Sequence, residues 1–174
     1  MARVFLAVGT LTLCACRNMP APDAPPEQRV EFNEFRTHRI SRTVNMDDPE
    51  AMQRVVSDIL VPADGWTWTG KHPTVKVRLR GTQNVQYVAD LAIAEATFKT
   101  TGPVEIRFEV NGHELERVRF TAPGKRSYVK DVPAAWLLPG QDNIVSAEID
   151  KMWTSPGDGA KLGFILTKIG LTEE

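Results

Sequence analysis

Cysteine is almost absent: 174 residues carry only two, Cys14 and Cys16, and none follows them. A folded region beyond residue 16 therefore has no disulfide of its own and must be held by its core. The pair cannot staple the chain either, because a Cys14–Cys16 bridge would close a tiny strained loop. Histidine is scarce and scattered, at His38, His72 and His113, so two cysteines find no partners for a zinc site. Their spacing is also not the C-x-x-C of a redox motif. Excess charge of one sign is missing too: 21 Lys and Arg against 22 Asp and Glu leave a formal charge of −1. That excludes the strongly basic profile of a nucleic-acid binder. No apolar run is long enough for a membrane-spanning helix, which needs roughly 20 residues. The nucleophile elbow G-x-S-x-G, the zinc motif H-E-x-x-H and a phosphate loop are all lacking. A protein without catalysis and without a cofactor is the expectation.

What is present begins with Arg3 and an uncharged stretch from Val4 to Ala15, which has the length of a signal-peptide apolar region. Leu13-Cys14-Ala15-Cys16 resembles a bacterial lipobox: an aliphatic residue, a variable one, a small one, then Cys. Cys14 departs from the family's commoner Ala or Ser at the variable position but is small enough to leave the resemblance intact. The resemblance implies a signal peptide over residues 1–15 and lipid on Cys16, which becomes the mature N-terminus. Arg17 stands where Asp resembles an inner-membrane retention signal in enterobacterial lipoproteins. The expected location is thus the outer membrane of the cell envelope, facing the periplasm, with the lipid as membrane contact. Residues 17–28, RNMPAPDAPPEQ, hold four prolines and no aromatic, too little apolar surface to order themselves. Residues 16–35 read as lipidated cysteine and tether, and 36–174 as one folded domain.

Within that domain HRISRTVN, residues 38–45, predicts a first strand. In MDDPEAMQRVVSDIL, Asp47 or Asp48 as cap, Pro49 at the first helical position and Glu50 in the first turn predict one short amphipathic helix. Met52, Val55, Val56 and Ile59 would form its apolar face, and VPADG would stop it. Beyond residue 73 the apolar period is two. Val75, Val77 and Leu79 alternate with Lys76, Arg78 and Arg80, and Val104, Ile106, Phe108 and Val110 with Glu105, Arg107 and Glu109. Tyr87 to Ile93 and Val145 to Ile149 repeat the pattern, as half-buried strands do. Asn111-Gly112 predicts a type I′ hairpin turn, and APGK and LPGQDN further reversals. Outward Lys and Arg on one strand can pair with Glu on another. The expected fold class is all-β: an antiparallel β-sandwich with one short N-terminal helix.

PAAWLLPGQDNIVSAEID, residues 133–150, resembles the segment of galactose-binding-like jelly-roll domains where a Pro-Gly reversal leads through Asn into an alternating strand. VEIRFEVNGHELERVRF and AKLGFILTKIGL fit the hairpin and the closing strand of that fold. The resemblance covers residues 66–171 and implies a jelly-roll sandwich of the kind found in carbohydrate-binding modules. It transfers no ligand residue, because one fold hosts many functions.

Aromatics are few but suggestively placed. Trp66 and Trp68 in GWTWTG share a face if extended. They are either a sugar-stacking platform or a cover over one end of the core. Trp153 falls in DKMWTSPGDGAK, a loop expected to run about nine residues between two strands, near Asp150, Lys151 and Asp158. There it has both a platform and hydrogen-bonding neighbours. Asp150 and Asp158 with loop carbonyls have the chemistry of a calcium site, although the spacing is not that of an EF-hand and no metal is assigned. Trp136 reads as a core plug. The functional expectation is a lipid-anchored binding module for carbohydrate or surface polysaccharide. The alternative is a structural or assembly lipoprotein contacting a cell-envelope protein. An aromatic in a polar-rimmed groove would mark the first and a broader apolar patch the second.

Overall fold

The computed structural model describes residues 42–173. The predicted signal peptide, Cys16, the predicted tether and the first residues of the predicted 38–45 strand lie outside the described residues. The strands are β1 (Thr43–Asn45), β2 (Val55–Ile59), β3 (Thr67–Arg78), β4 (Val85–Ile93), β5 (Val104–Val110), β6 (His113–Phe120), β7 (Gly124–Asp131), β8 (Asp142–Ile149), β9 (Trp153–Thr154), β10 (Lys161–Leu162) and β11 (Ile165–Glu173). One sheet runs β2-β3-β8-β5-β6 and the other β1-β11-β4-β7, all antiparallel. The start of β3 also pairs with β11, through Trp68 opposite Ile165, so the sheets are joined at that corner. The chain passes from sheet to sheet between β1 and β2, β3 and β4, β4 and β5, β6 and β7, β7 and β8, and, by way of the β9–β10 hairpin, between β8 and β11. This is the antiparallel sandwich that the alternating strands predict, with the jelly-roll form that the resemblance implies.

Period-two alternation explains the interior. Val75, Val77 and Leu79 on or just past β3, Tyr87, Ala89, Leu91 and Ile93 on β4, the apolar row of β5 and Val145, Ala147 and Ile149 on β8 are all buried. Each large side chain so buried contributes about 1.5–3 kcal/mol relative to exposure. Aromatic rings bridge the sheets. Phe108 of β5 lies flat on Tyr128 of β7 at 3.8 Å, and Tyr87 of β4 meets Phe108 edge-on at 5.5 Å. The Tyr87 hydroxyl crosses the core to donate to the Ser146 carbonyl at 2.9 Å.

The helix at residues 49–59 is the principal correction. The predicted start signal caps no helix: the Asp48 carboxylate accepts the Glu50 N–H at 2.8 Å, ahead of a turn that begins at Ala51 without a side-chain cap. Only one 3-10 turn follows, Ala51–Arg54, and Val55–Ile59 then pairs with β3 as an edge strand. Val55, Val56 and Ile59 are β-branched and lose side-chain freedom in a helix, and the open edge of β3 supplies the pairing that decides the matter. The α-helix of the described residues is α1 (Glu95–Thr101), carried on the β4–β5 crossover and ended by Gly102 at φ 67°. At seven residues it is too short to show a clear helical period.

VPADG is a hairpin tip and not a helix stop. Asp64 and Gly65 sit at φ 52° and 80°, with Ala63 and Trp66 exchanging both backbone hydrogen bonds. The Asn111-Gly112 turn forms as predicted, at φ 51° and 79°. No helix among the described residues is long and apolar enough to cross a membrane.

Candidate functional site

The hairpin tip delivers Trp66 and Trp68 to the corner where β3 begins. Trp66 is exposed and Trp68 half-buried. Trp153 reaches the same corner from 85 residues away in the sequence (153 − 68) and stacks on Trp68, ring centroids 6.0 Å apart and planes 29° from parallel. It does not occupy an open loop: it forms β9, paired through Leu162 with β10, and is half-buried. The β9–β10 hairpin is tied down at Thr69, whose N–H donates to the Phe164 carbonyl at 2.9 Å and whose carbonyl accepts from Gly163 at 2.7 Å. The Thr69 hydroxyl accepts from the Phe164 N–H at 3.1 Å and donates to the Phe164 carbonyl at 3.0 Å. A β-carbon on residue 163 would collide with the Gly70 carbonyl, so glycine is needed for so close an approach.

Trp66, Trp68 and Trp153 stand apart from the core cluster. The half-buried side chains packed on it are Val55, Phe98, Leu115, Val118, Trp136 and Met152; Trp68 and Trp153 bury against each other instead. Trp136 packs on the core as predicted, with its outer face against His113 at 4.9 Å.

The acidic neighbours of Trp153 are engaged in local structure. Asp150 accepts the Glu105 N–H at 2.8 Å, and its own N–H returns a bond to the Glu105 carbonyl at 3.0 Å. Asp158 folds the loop, accepting the Ala160 N–H at 3.1 Å. Hydrogen bonds from Ser155 and Ala160 hold its carboxyl below the ordinary carboxylate value. Lys151 closes the end of α1 by donating to the Pro103 and Thr101 carbonyls at 2.6 and 3.3 Å. Among the described residues no group of three or more His, Cys, Asp or Glu is arranged to hold a metal ion.

The outer face of β8, β5 and β6 carries the expected charge pairing. Glu148 lies between Lys71, at 3.1 Å, and Arg107, which also reaches Glu109 at 3.4 Å. The Lys71 hydrogen bond, with Arg107 beside it, lowers the Glu148 pKa. Arg117 bridges Glu114 and Glu105 at 2.8 and 3.7 Å. A shallow depression of about 320 Å³ lies among Glu105, Arg107, Arg117, Glu148 and Asp150, where Arg107 pairs with Glu148, Arg117 with Glu105, and Asp150 holds a backbone N–H. His72 and Ser146 both contact the same Glu109 oxygen, at 3.1 and 3.5 Å. A shared acceptor cannot relay a proton from serine to histidine, so this trio is not a catalytic triad.

No protein-family model matches the chain, and no curated protein matches its sequence. Among solved structures it is similar to a family 35 carbohydrate-binding module from Clostridium thermocellum, with TM-score 0.40 and 12% identity over 70% of this chain and 89% of that one. It is also similar to part of a family GH115 4-O-methyl-α-glucuronidase with specificity for decorated arabinogalactans, with TM-score 0.39 and 10% identity. That match covers 69% of this chain and 16% of the enzyme. Neither likeness transfers a ligand or a residue role.

Proposed function

We propose that this chain is a non-catalytic binding module that takes carbohydrate on the Trp66, Trp68 and Trp153 surface, held at the cell envelope by lipid on Cys16. The observation that carries the binding reading is the Trp68–Trp153 pair, half-buried, stacked and set apart from the core cluster. Large aromatics kept partly open to water while the interior is filled by others suit the apolar C–H face of a sugar ring. The lipobox-like Leu13–Cys16 supports the anchor. The geometry of the remaining polar groups supports the absence of catalysis, since the carboxylates beside Trp153 are committed to backbone amides.

Titration of the purified protein and its variants against envelope polysaccharides tests this. Trp66→Ala, at an exposed position, is expected to leave the melting temperature unchanged and to weaken binding. Trp153→Ala is expected to weaken it by about 2 kcal/mol or more, the scale of an aromatic hot spot, with a modest loss of stability. Met152→Ala removes a neighbour that packs on the core, so it should lower stability and leave binding intact. Unchanged affinity in both tryptophan variants would end the carbohydrate reading.

A further inference from the structure

Eight large apolar side chains stand exposed among the described residues, and five of them, Met52, Val56, Leu60, Val61 and Trp66, fall between residues 52 and 66, on the 3-10 turn, β2 and the hairpin tip. Val61 is the most open at 80%. An apolar concentration of this kind marks an interaction surface more often than a scattered one does. Its surroundings are acidic. Between residues 46 and 70 the chain has five carboxylates, Asp47, Asp48, Glu50, Asp58 and Asp64, of which Asp48 pairs with Arg54 and Asp58 accepts the His72 N–H at 2.8 Å. Arg54 is already committed, to the Asp48 carboxylate and, at 2.8 Å, to the Thr43 carbonyl. Asp47 lies against the tip that carries Asp64, since a β-carbon on Gly65 would stand 3.6 Å from its own. Neighbouring β3 adds Lys71, held by Glu148, and Lys76 near the Arg54 end.

The backbone of β2 limits how a partner can attach. Its register against β3 shifts on both sides of Ser57, and Asp58 takes a left-handed φ of 56°. Such irregularity spoils the even ladder that strand addition needs, so docking must use side chains. Charge then selects the partner. A second copy would bring the same acidic rim against itself, and an anionic lipid surface would be repelled in the same way.

We propose that Met52, Val56, Leu60 and Val61, with the Asp47 and Asp64 carboxylates at the hairpin tip, dock a cationic amphipathic segment of a partner protein. The probe is a synthetic helical peptide with leucine on one face and lysine on the other, beside a leucine–glutamate counterpart. Both are titrated into the purified protein at low and high salt. The leucine–lysine peptide should bind, more weakly as salt rises, and the leucine–glutamate peptide should bind at least about tenfold more weakly, as opposed charges dictate. Leu60→Ser with Val61→Ser should weaken the first peptide about tenfold or more. Asp47→Asn with Asp64→Asn should flatten its salt dependence. All four positions bear on exposed side chains, so melting temperatures should stay level; if the serine pair lowers them, the asparagine pair decides. Equal binding of the two peptides, or no effect of the asparagine pair, would overturn the proposal. So would a concentration-dependent dimer dispersed by the serine pair, or stronger binding to anionic vesicles than to the leucine–lysine peptide.

Discussion

Tyr87 and Tyr128 are the two tyrosines of the chain, and both rings are built into the contact between the sheets. Burial, then the nearby Tyr128 and Glu109, raises the Tyr87 pKa well above its ordinary 10.0. Burial also raises that of Tyr128, helped by the charge and hydrogen bond of Glu116. The folded chain therefore keeps two protons that the unfolded chain releases near pH 10. Their contribution is fully present below that pH and falls as pH rises above it, by about 1.4 kcal/mol per unit for each tyrosine. Ultraviolet titration should show no tyrosinate near pH 10 in the native protein, and its appearance should coincide with unfolding. Smooth ionisation around pH 10 with the fold intact would contradict the buried placement of these rings.

At the scale of elements, the turns are held by side-chain amides as much as by backbone geometry. Asn143, fully buried at the start of β8, accepts from the Leu138 N–H at 2.8 Å and from the Asn111 side chain at 3.0 Å. It donates to the Leu138 and Gln141 carbonyls at 2.9 and 3.3 Å. Asn111 in turn donates to the Trp136 carbonyl and accepts the Ile144 N–H. One pair of amides thus joins the LPGQDN reversal, the β5–β6 hairpin and the Trp136 turn. Asn143→Ala would strand several of these groups without partners and should cost about 2–4 kcal/mol, measured by urea unfolding. A loss no larger than that of an ordinary surface substitution would show that this linkage is dispensable.

For the whole molecule, the proposed lipid anchor on Cys16 is the feature to test. If Cys16 carries lipid, Cys16→Ser should release the protein from the membrane fraction, whereas Cys14→Ser should leave it there. Equal release by both would point to the two cysteines acting as a unit. Deleting residues 17–28 should leave the melting temperature unchanged, because four prolines and no aromatic give this segment too little apolar surface to contribute to a core. The paired charges on the outer sheet face are partly exposed and contribute little to stability, so the core carries the domain.

Period-two alternation made most of the sandwich legible in the sequence. Which residues of TVKVRLR, VEIRFEV, YVADLAI and IVSAEID turn inward depends only on the pleat and on burial of one face. The Asn111-Gly112 turn was equally local, because left-handed backbone needs residues that tolerate it. The segment 49–59 was not legible, since its cap signals favour a helix and only the free edge of β3 tips Val55–Ile59 into a strand. The site divides in the same way. Trp66 and Trp68 share a sequence motif, but the partner that stacks on Trp68 is Trp153, far along the chain. That contact exists only because Thr69, Gly70 and Gly163 let the β9–β10 hairpin close on β3. Local physics determined the strands and turns, and long-range backbone pairing decided which aromatic rings meet.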